Sequence, residues 1–194
     1  MGKRGALIWM LKAVTITTVG ITSVSLIENM VKQTKEEHTV EYEPVVMYYT
    51  VHDNSMAVPE GDTSFKSYMD YRAITNTRSE QWKMQQTAYT DGGIRRYKNG
   101  DYMVAMGSYY GEVGDRFHVT LDTGETFDVV MGDAKADSDT DRRNQYTPCG
   151  GGKNVIEFIV DTSELPREAR RMGDVSYADD IFEGNVEKIE RIEE

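Results

Sequence analysis

The first residue of this chain that could do chemistry is a carboxylate at the end of a short hairpin. Apolar residues alternate with polar ones on both sides of the turn sequence Asp122–Gly124, at Val119, Leu121, Phe127, Val129 and Met131. This alternation predicts a β-hairpin with one buried face. The chain leaves the second strand through Gly132, which permits a sharp exit, and Asp133 follows at the rim. Asp133 is therefore the first functional candidate; the alternative is a turn aspartate that caps its own backbone.

A group of acids follows the hairpin. Asp137, Asp139 and Asp141 are spaced two residues apart, as at the start of a calcium-binding loop. The EF-hand pattern requires Gly at its sixth position and Glu at its twelfth, whereas Arg142 and Pro148 stand there. A solvated acidic loop is favoured over a looser metal site, and we predict neither a metal site nor a cofactor.

The segment between residues 63 and 97 is the aromatic-rich part of the chain. Aromatic faces stack well on sugar rings or on each other, and packing is the favoured role for most of them. Tyr71 and Arg72 are polar enough to line a cleft, as are Gln85 and Gln86. Tyr71 and Arg72 are our candidate substrate-binding residues from this segment.

The elements that must position these residues follow from local signals. Thr77 and Glu80 have the spacing of a capping box, which predicts a helix from there to Asp91–Gly93. The stretch from Ser163 to Gly173 predicts a second short helix, with Ser163 as its cap and Gly173 as its end. Imperfect alternation between residues 183 and 192 predicts a closing strand.

Composition limits the function classes. The chain has 194 residues and a formal net charge of −11, which fits one globular domain with an appendage. Nucleic acid is not an expected partner, because phosphate binding needs clustered Lys and Arg, and here they are scattered among more numerous acids. Cys149 is the only cysteine, so an intramolecular disulfide and a multi-cysteine zinc site are excluded. A loop thiol without function is favoured over a nucleophile.

The N-terminus predicts a membrane anchor over residues 1–31. Lys3 and Arg4 precede a predominantly apolar run, Gly5–Ile27, that is long enough to cross the roughly 30 Å hydrocarbon core as a helix. The positive-inside rule then places the N-terminus in the cytoplasm and the C-terminal body outside the cell membrane. A cleaved signal peptide, or a buried helix of a larger assembly such as a phage particle, are the alternatives.

Residues 32–61 are predicted to be a stalk between the anchor and the body, which spans residues 62–194 and carries the helical segment at its start. The run from Pro44 to Val51 is β-prone, and it equally suits the first strand of the body.

The core resembles the double-psi β-barrel domains of cell-wall proteins: the three-aspartate domain, membrane-bound lytic transglycosylase A, rare lipoprotein A and the expansins. The resemblance covers residues 101–161, and the stretches that carry it are Tyr102–Ala105, Val113–Val119, Val129–Lys135 and Val155–Ile159. The stretch from Tyr68 to Arg72 also resembles uncharacterised membrane-anchored proteins of Gram-positive bacteria and their phages. The resemblance implies a mainly β fold, a six-stranded double-psi β-barrel with short helices, preceded by one transmembrane helix.

The same resemblance implies cleavage of peptidoglycan by a lytic transglycosylase mechanism. Asp133 matches one family aspartate and would be the general acid and base, while Glu157 stands in place of another. Met106-Gly107 occupy the position of the family's first aspartate. Asp137 is a reserve carboxylate, and Lys135 could steady a developing charge as part of the substrate-binding set.

Two other functions stay open. A glycan-binding or wall-loosening barrel without bond cleavage is supported by the missing first aspartate. A structural component of a phage tail or virion would use the barrel and the N-terminal helix for assembly. The expected partners are thus peptidoglycan or another glycan, and the membrane; the oligomeric state is not predicted.

Overall fold

A computed structural model describes residues 54–193. The predicted anchor over residues 1–31 lies outside these residues, as does most of the predicted stalk. Within the described part, none of the helices is long and apolar enough to span a bilayer.

The described residues form mainly β-strands with a few short helices, which confirms the predicted fold class at that level. The strands are β1 (Ser55–Met56), β2 (Tyr68–Asp70), β3 (Tyr89–Asp91), β4 (Ile94–Arg96), β5 (Tyr102–Met106), β6 (Arg116–Leu121), β7 (Thr126–Ala134), β8 (Thr147–Cys149), β9 (Gly152–Asn154), β10 (Glu157–Val160) and β11 (Val186–Ile192). The helices are α1 (Glu80–Thr87) and α2 (Arg167–Met172), with 3-10 helices at Tyr71–Ala73, Asp137–Asp139, Val175–Tyr177 and Asp180–Phe182.

The strands pair into one nine-stranded sheet that does not close. Its order is β1-β11-β6-β7-β5-β10-β4-β3, with β2 beside β10, while β8 and β9 form a separate ribbon. The predicted six-stranded closed barrel is therefore wrong for the described residues. The path of paired strands ends at β1, whose partner is β11, and at β3, whose partner is β4, so the two ends do not meet within the described residues. Near the second end, β4 pairs with β5 as well as with β10.

Two strand pairs in this sheet are parallel, β5 with β7 and β10 with β2. Hairpin β6–β7 places β7 between β6 and β5, so β7 is antiparallel to one neighbour and parallel to the other. As a result, the C-terminal ends of β5 and β7 meet at one edge of the sheet.

The main core lies on one face of the sheet and is centred on aromatic rings. Phe182 packs against Tyr102, Phe127 and Phe158, with ring centroids 5.0, 5.2 and 4.7 Å away. Helix α2 and the 3-10 helices after it contribute Phe182 and other buried residues to this cluster. A buried aromatic ring is a large apolar contribution from so short an element.

Helix α1 covers the opposite face of the sheet. Met84 of α1 packs in a smaller buried cluster with Met103, Val130 and Ile159, from β5, β7 and β10. This packing fixes α1 over the three central strands.

The hairpin predicted from alternation is confirmed. β6 and β7 are antiparallel, with Val119 opposite Phe127, and the buried positions along β6 alternate with partly exposed ones. The closing strand is also confirmed as β11.

The predicted α1 helix is confirmed, but both its predicted cap and its predicted end at Asp91–Gly93 are wrong. The helix ends at Thr87, because Tyr89–Asp91 extend as β3 and pair with β4. The hydroxyl of Ser79, not Thr77, accepts the N–H of Trp82 at 3.2 Å. Ser79 also donates its own N–H to the carbonyl of Asn76 at 2.9 Å, so a turn precedes the helix and delays its start.

Helix α2 ends at Gly173, as predicted, where the backbone adopts φ 70°. Its predicted start at Ser163 is wrong. The hydroxyl and N–H of Ser163 both donate to the carboxylate of Asp161, which forms a separate turn, and Pro166 precedes the first helical residue.

Candidate functional site

The predicted carboxylates lie at the edge where β5 and β7 end and β10 begins. Asp133 of β7 is the register partner of Ala105 in β5, and Glu157 of β10 is the register partner of the same Ala105. Register partners point to the same face of a sheet, so Asp133, Ala105 and Glu157 form one row. With neighbouring strands about 4.8 Å apart, the two outer Cα atoms are separated by about 10 Å.

A bulge at Gly132 puts Asp133 into this row. Val104 pairs with Met131, but Ala105 pairs with Asp133, so Gly132 is the extra residue on β7. A Cβ at Gly132 would come within 2.9 Å of side-chain atoms of Ile159 and Met103. The expected strand exit at Gly132-Asp133 is therefore wrong: β7 continues to Ala134, and the glycine serves the bulge.

The carboxylate of Asp133 is partly withdrawn from water. Its Oδ1 accepts the N–H of Ala134 at 2.9 Å and the Nε2–H of Gln81, from the first turn of α1, at 3.4 Å. Burial raises the pKa of Asp133, and these two hydrogen bonds oppose the shift without cancelling it. A carboxyl with a raised pKa can hold a proton for delivery.

Lys135 lies two residues further along, and it is only 8% exposed. Its Nζ donates to the carbonyl of Asn154 at 2.9 Å. Burial lowers the pKa of Lys135 to about 8, against the opposing field of Glu157. Lys135 and Glu157 are thus close enough for their charges to interact.

Asp137 lies on the exposed 3-10 helix after β7. Its Oδ1 accepts the hydroxyl of Ser108, which follows the end of β5, at 2.8 Å. The structure thus places the predicted Asp133, Glu157, Asp137 and Lys135 at the same end of neighbouring strands.

The acidic loop itself is built around a backbone turn. Asp141 accepts the N–H groups of Gln145 at 2.7 Å and of Arg143 at 3.1 Å. Within residues 54–193, no group of three or more His, Cys, Asp or Glu residues is arranged to hold a metal ion.

Tyr71 and Arg72 lie elsewhere, beside α1. They line an open recess of about 310 Å³, which we call the α1 recess, together with Ile74, Thr75, Trp82, Gln85 and Gln86. The structure does not place Tyr71 and Arg72 in the Asp133–Glu157 row. Helix α1 connects the two regions, because Gln81 contacts Asp133 and Gln85, one turn later, lines the recess.

Arg72 is bound to its neighbours. Its Nη2 contacts Asp70 at 2.6 Å and Asp161 at 3.1 Å, and its Nε donates to Asp70 at 2.7 Å. The Arg72 guanidinium holds the pKa of Asp70 well below its usual range, and hydrogen bonds from Thr162 act in the same direction. Arg72 therefore ties the wall of the recess to Asp70 and Asp161, while about half of its side chain stays exposed to solvent.

Sequence reasoning missed Gln81 as a neighbour of Asp133. Gln81 and Gln85 are four residues apart with Met84 between them, and this spacing would have placed both glutamines on the sheet-facing side of α1.

Comparison with known proteins finds no relative of this chain. The chain matches no protein-family model, no curated protein and no solved structure.

Proposed function

We propose that this protein is a membrane-anchored enzyme of the cell wall that cleaves peptidoglycan glycan strands by a lytic transglycosylase mechanism. Asp133 would be its general acid and base. The observation that carries the proposal is the environment of Asp133, a partly buried carboxyl with a raised pKa in the same row as Glu157.

One carboxyl is enough for this reaction. Protonated Asp133 donates its proton to the glycosidic oxygen as the bond from that oxygen to the anomeric carbon breaks. The anionic Asp133 then accepts the proton of a hydroxyl on the same sugar, while that hydroxyl oxygen attacks the anomeric carbon. The new bond closes an anhydro ring, the leaving chain carries the first proton, and Asp133 ends protonated as it began.

The neighbouring residues have supporting roles in the proposal. Glu157 would stabilise the positive charge that develops on the sugar ring, as a second carboxylate does in glycosidases. Lys135, with a pKa of about 8, would remain largely cationic at neutral pH and stabilise the leaving oxygen. Asp137, bonded to Ser108, would fix the loop at the rim of the site.

The relationship to the double-psi β-barrel cell-wall proteins is part of the proposal, without the closed barrel, which the described residues do not form. The parallel pairs β5–β7 and β10–β2 support it, because a simple meander of hairpins contains antiparallel neighbours alone. The apolar N-terminal segment supports the anchor and an extracellular body.

A glycan-binding function without cleavage is the second candidate. The α1 recess favours it, because an aromatic wall with amide groups nearby suits a sugar ring whether or not a bond is broken.

The test uses the full chain in detergent micelles, incubated with purified peptidoglycan. Released fragments are identified by mass spectrometry for the wild type, for Asp133→Asn and for the control Asp128→Asn. The control removes a half-exposed carboxylate of the same strand, which pairs with His118. We expect anhydro-muramyl products from the wild type and the control, and about 100-fold less, or lower still, from Asp133→Asn. Equal release from Asp133→Asn would refute the role of Asp133. Retention on the glycan without release would favour the binding function.

A further inference from the structure

The α1 recess has an aromatic wall that is held rigid from behind. Tyr71, on a 3-10 helix, and Trp82, on α1, are both half-buried and both line the recess. The guanidinium of Arg95 lies 4.5 Å from the centroid of the Tyr71 ring. Arg95 is only 8% exposed, so the Tyr71 ring makes a cation–π contact with a buried guanidinium.

The same arginine fixes the floor of the recess. Arg95 donates from Nε to Oε1 of Gln85 at 3.0 Å, and from Nη2 to the backbone carbonyls of Gln85 and Ala88 at 2.9 and 3.1 Å. The Gln85 Nε2 in turn contacts the sulfur of Met103 at 3.6 Å. Gln85 is therefore a structural part of the recess, and its amide is already occupied.

Other polar groups of the recess remain available. Gln86 is exposed and uses its Nε2 on the carbonyl of Trp82 at 3.3 Å, which leaves Oε1 as an acceptor among the described residues. Thr75 is exposed beside it. The Arg72 side chain is 53% exposed even though Nε and Nη2 are bound.

The charges around the recess are balanced. Arg72 is paired with Asp70 and Asp161, and Arg95 lies behind Tyr71. The field of Asp161 and that of Glu164 also act on Arg95. The carboxylates near the recess therefore balance its two guanidinium groups, and the recess offers no net positive charge to a phosphate or carboxylate ligand.

We propose that the α1 recess is a saccharide subsite that binds one neutral N-acetylated sugar ring of a glycan strand. The ring would stack its C–H face on Trp82, and its hydroxyl or acetamide groups would bond to Gln86, Thr75 and the free side of Arg72. This inference rests on the proposed function, because it makes the recess the place where the strand is held while Asp133 acts.

The position of the recess along α1 suits that role. Gln81 contacts Asp133, and Gln85 and Gln86 line the recess four and five residues later. At 1.5 Å of rise per residue, these positions are about 6 to 8 Å apart along the helix axis. A strand bound in the recess would therefore run along α1 toward Asp133.

Trp82 provides its own signal for the test. The chain has two tryptophans, Trp9 and Trp82, so the variant Trp9→Phe leaves Trp82 as the sole indole. This full-length variant, carrying Asp133→Asn to prevent turnover, is titrated with the β-1,4-linked tetramer of N-acetylglucosamine. We expect a saturable change in Trp82 fluorescence.

Calorimetric titration with the same tetramer then compares recess variants, all in the Asp133→Asn chain. Loss of one stacking or hydrogen-bonding group should weaken binding about three- to tenfold, so we expect that loss for Trp82→Phe and for Gln86→Ala. Lys83→Ala is the matched control, because Lys83 is an exposed residue of the same helix that pairs with Glu80. It should bind like the parent.

The outcomes separate this inference from the proposed function. No fluorescence change, or equal affinity in all variants, would overturn the subsite, even if the wild type releases anhydro-muramyl products. Binding that depends on Trp82 and Gln86, with no product from the wild type, would support the subsite and refute the enzyme.

Discussion

Asp133 and Glu157 flank strand β5 and share one register partner, Ala105. Ala105, the residue between them, is buried, with only 2% of its surface exposed. Their Cα atoms are about 10 Å apart, which is wider than the about 5 Å between the two carboxyls of retaining glycosidases and nearer to the about 6.5–9.5 Å of inverting ones. The spacing therefore argues against Glu157 as a covalent nucleophile opposite Asp133.

Asp133→Asn should raise the stability of the protein and lower its activity. Burial raises the folded-state pKa of Asp133 above its unfolded value, so the folded state binds more protons between the two values. The free energy of unfolding then falls as pH rises through that window, and the ionised group remains destabilising at neutral pH. We expect Asp133→Asn to be more stable than the wild type at pH 7, and to cleave peptidoglycan about 100-fold or more slowly.

Urea unfolding at pH 3 and pH 7 checks the stability part of this prediction. The advantage of Asp133→Asn should be present at pH 7 and absent at pH 3, where the native carboxyl is protonated in both states. A variant that is less stable than the wild type at pH 7 would mean that the ionised carboxylate is favourably solvated.

Lys66 should give the protein a rise in stability at alkaline pH. Its side chain is fully buried, and its Nζ donates to the carbonyls of Ser64 at 3.0 Å and Gly184 at 2.6 Å. Burial lowers its pKa from 10.5 to about 8. Between these values the unfolded state keeps a proton that the folded state has lost, so the free energy of unfolding rises with pH, by roughly 3 kcal/mol in total.

Lys66→Met removes this contribution, and Lys83→Met, at an exposed position, is the control. Urea unfolding at pH 7 and pH 10 should show a smaller rise for Lys66→Met than for the control. Part of the rise should remain, because Lys135 also has a pKa lowered to about 8. An unchanged rise in Lys66→Met would show that Lys66 is charged in the folded state throughout this range.

Strands in which apolar and polar residues alternate were predictable from the sequence, because a strand with one buried face places every second side chain in the core. Hairpin β6–β7 and the closing strand β11 are of this kind. The cap of α1 was not predictable, because Thr77 and Ser79 are both good N-cap residues. The turn in which Ser79 donates to the carbonyl of Asn76 makes Ser79 the cap.

The candidate site was predictable as residues but not as an arrangement. Asp133 and Glu157 could be named from their strand context and the family resemblance. Their shared partner depends on the parallel pairing of β5 with β7 and on the bulge at Gly132, both of which join parts distant in the chain. Lys66 was missed for the same reason, since the carbonyl of Gly184 that binds it lies 118 residues away.

Phe182→Ala should be among the most destabilising substitutions in the body. Its ring is fully buried and packs on Tyr102, Phe127 and Phe158, so truncation leaves a cavity that three rings line. We expect a loss of about 3 to 5 kcal/mol in the free energy of unfolding, and a smaller loss for Phe182→Leu, which keeps most of the volume. Thermal and urea unfolding measure both. Equal losses would mean that the site collapses around the shorter side chain.

Gly107→Ala should detach the acidic loop from the end of β5. A Cβ at Gly107 would lie 1.9 Å from the carbonyl oxygen of Asn144, which is backbone and cannot rotate away. The same oxygen accepts the N–H of Tyr109 at 3.3 Å. We expect a loss of about 1 to 3 kcal/mol in the free energy of unfolding, together with faster proteolysis of residues 137–146.

Gly132→Ala is the matched control for this steric argument. Neither Gly107 nor Gly132 has a positive φ, so added backbone strain does not separate them. At Gly132 the new Cβ meets the flexible ends of Ile159 and Met103 at 2.9 Å, and these can shift by a change of rotamer. Gly132→Ala should therefore cost less stability than Gly107→Ala and leave the proteolysis pattern of the loop unchanged. The reverse order would show that the bulge beside Asp133, not the loop contact, is the rigid part of the site.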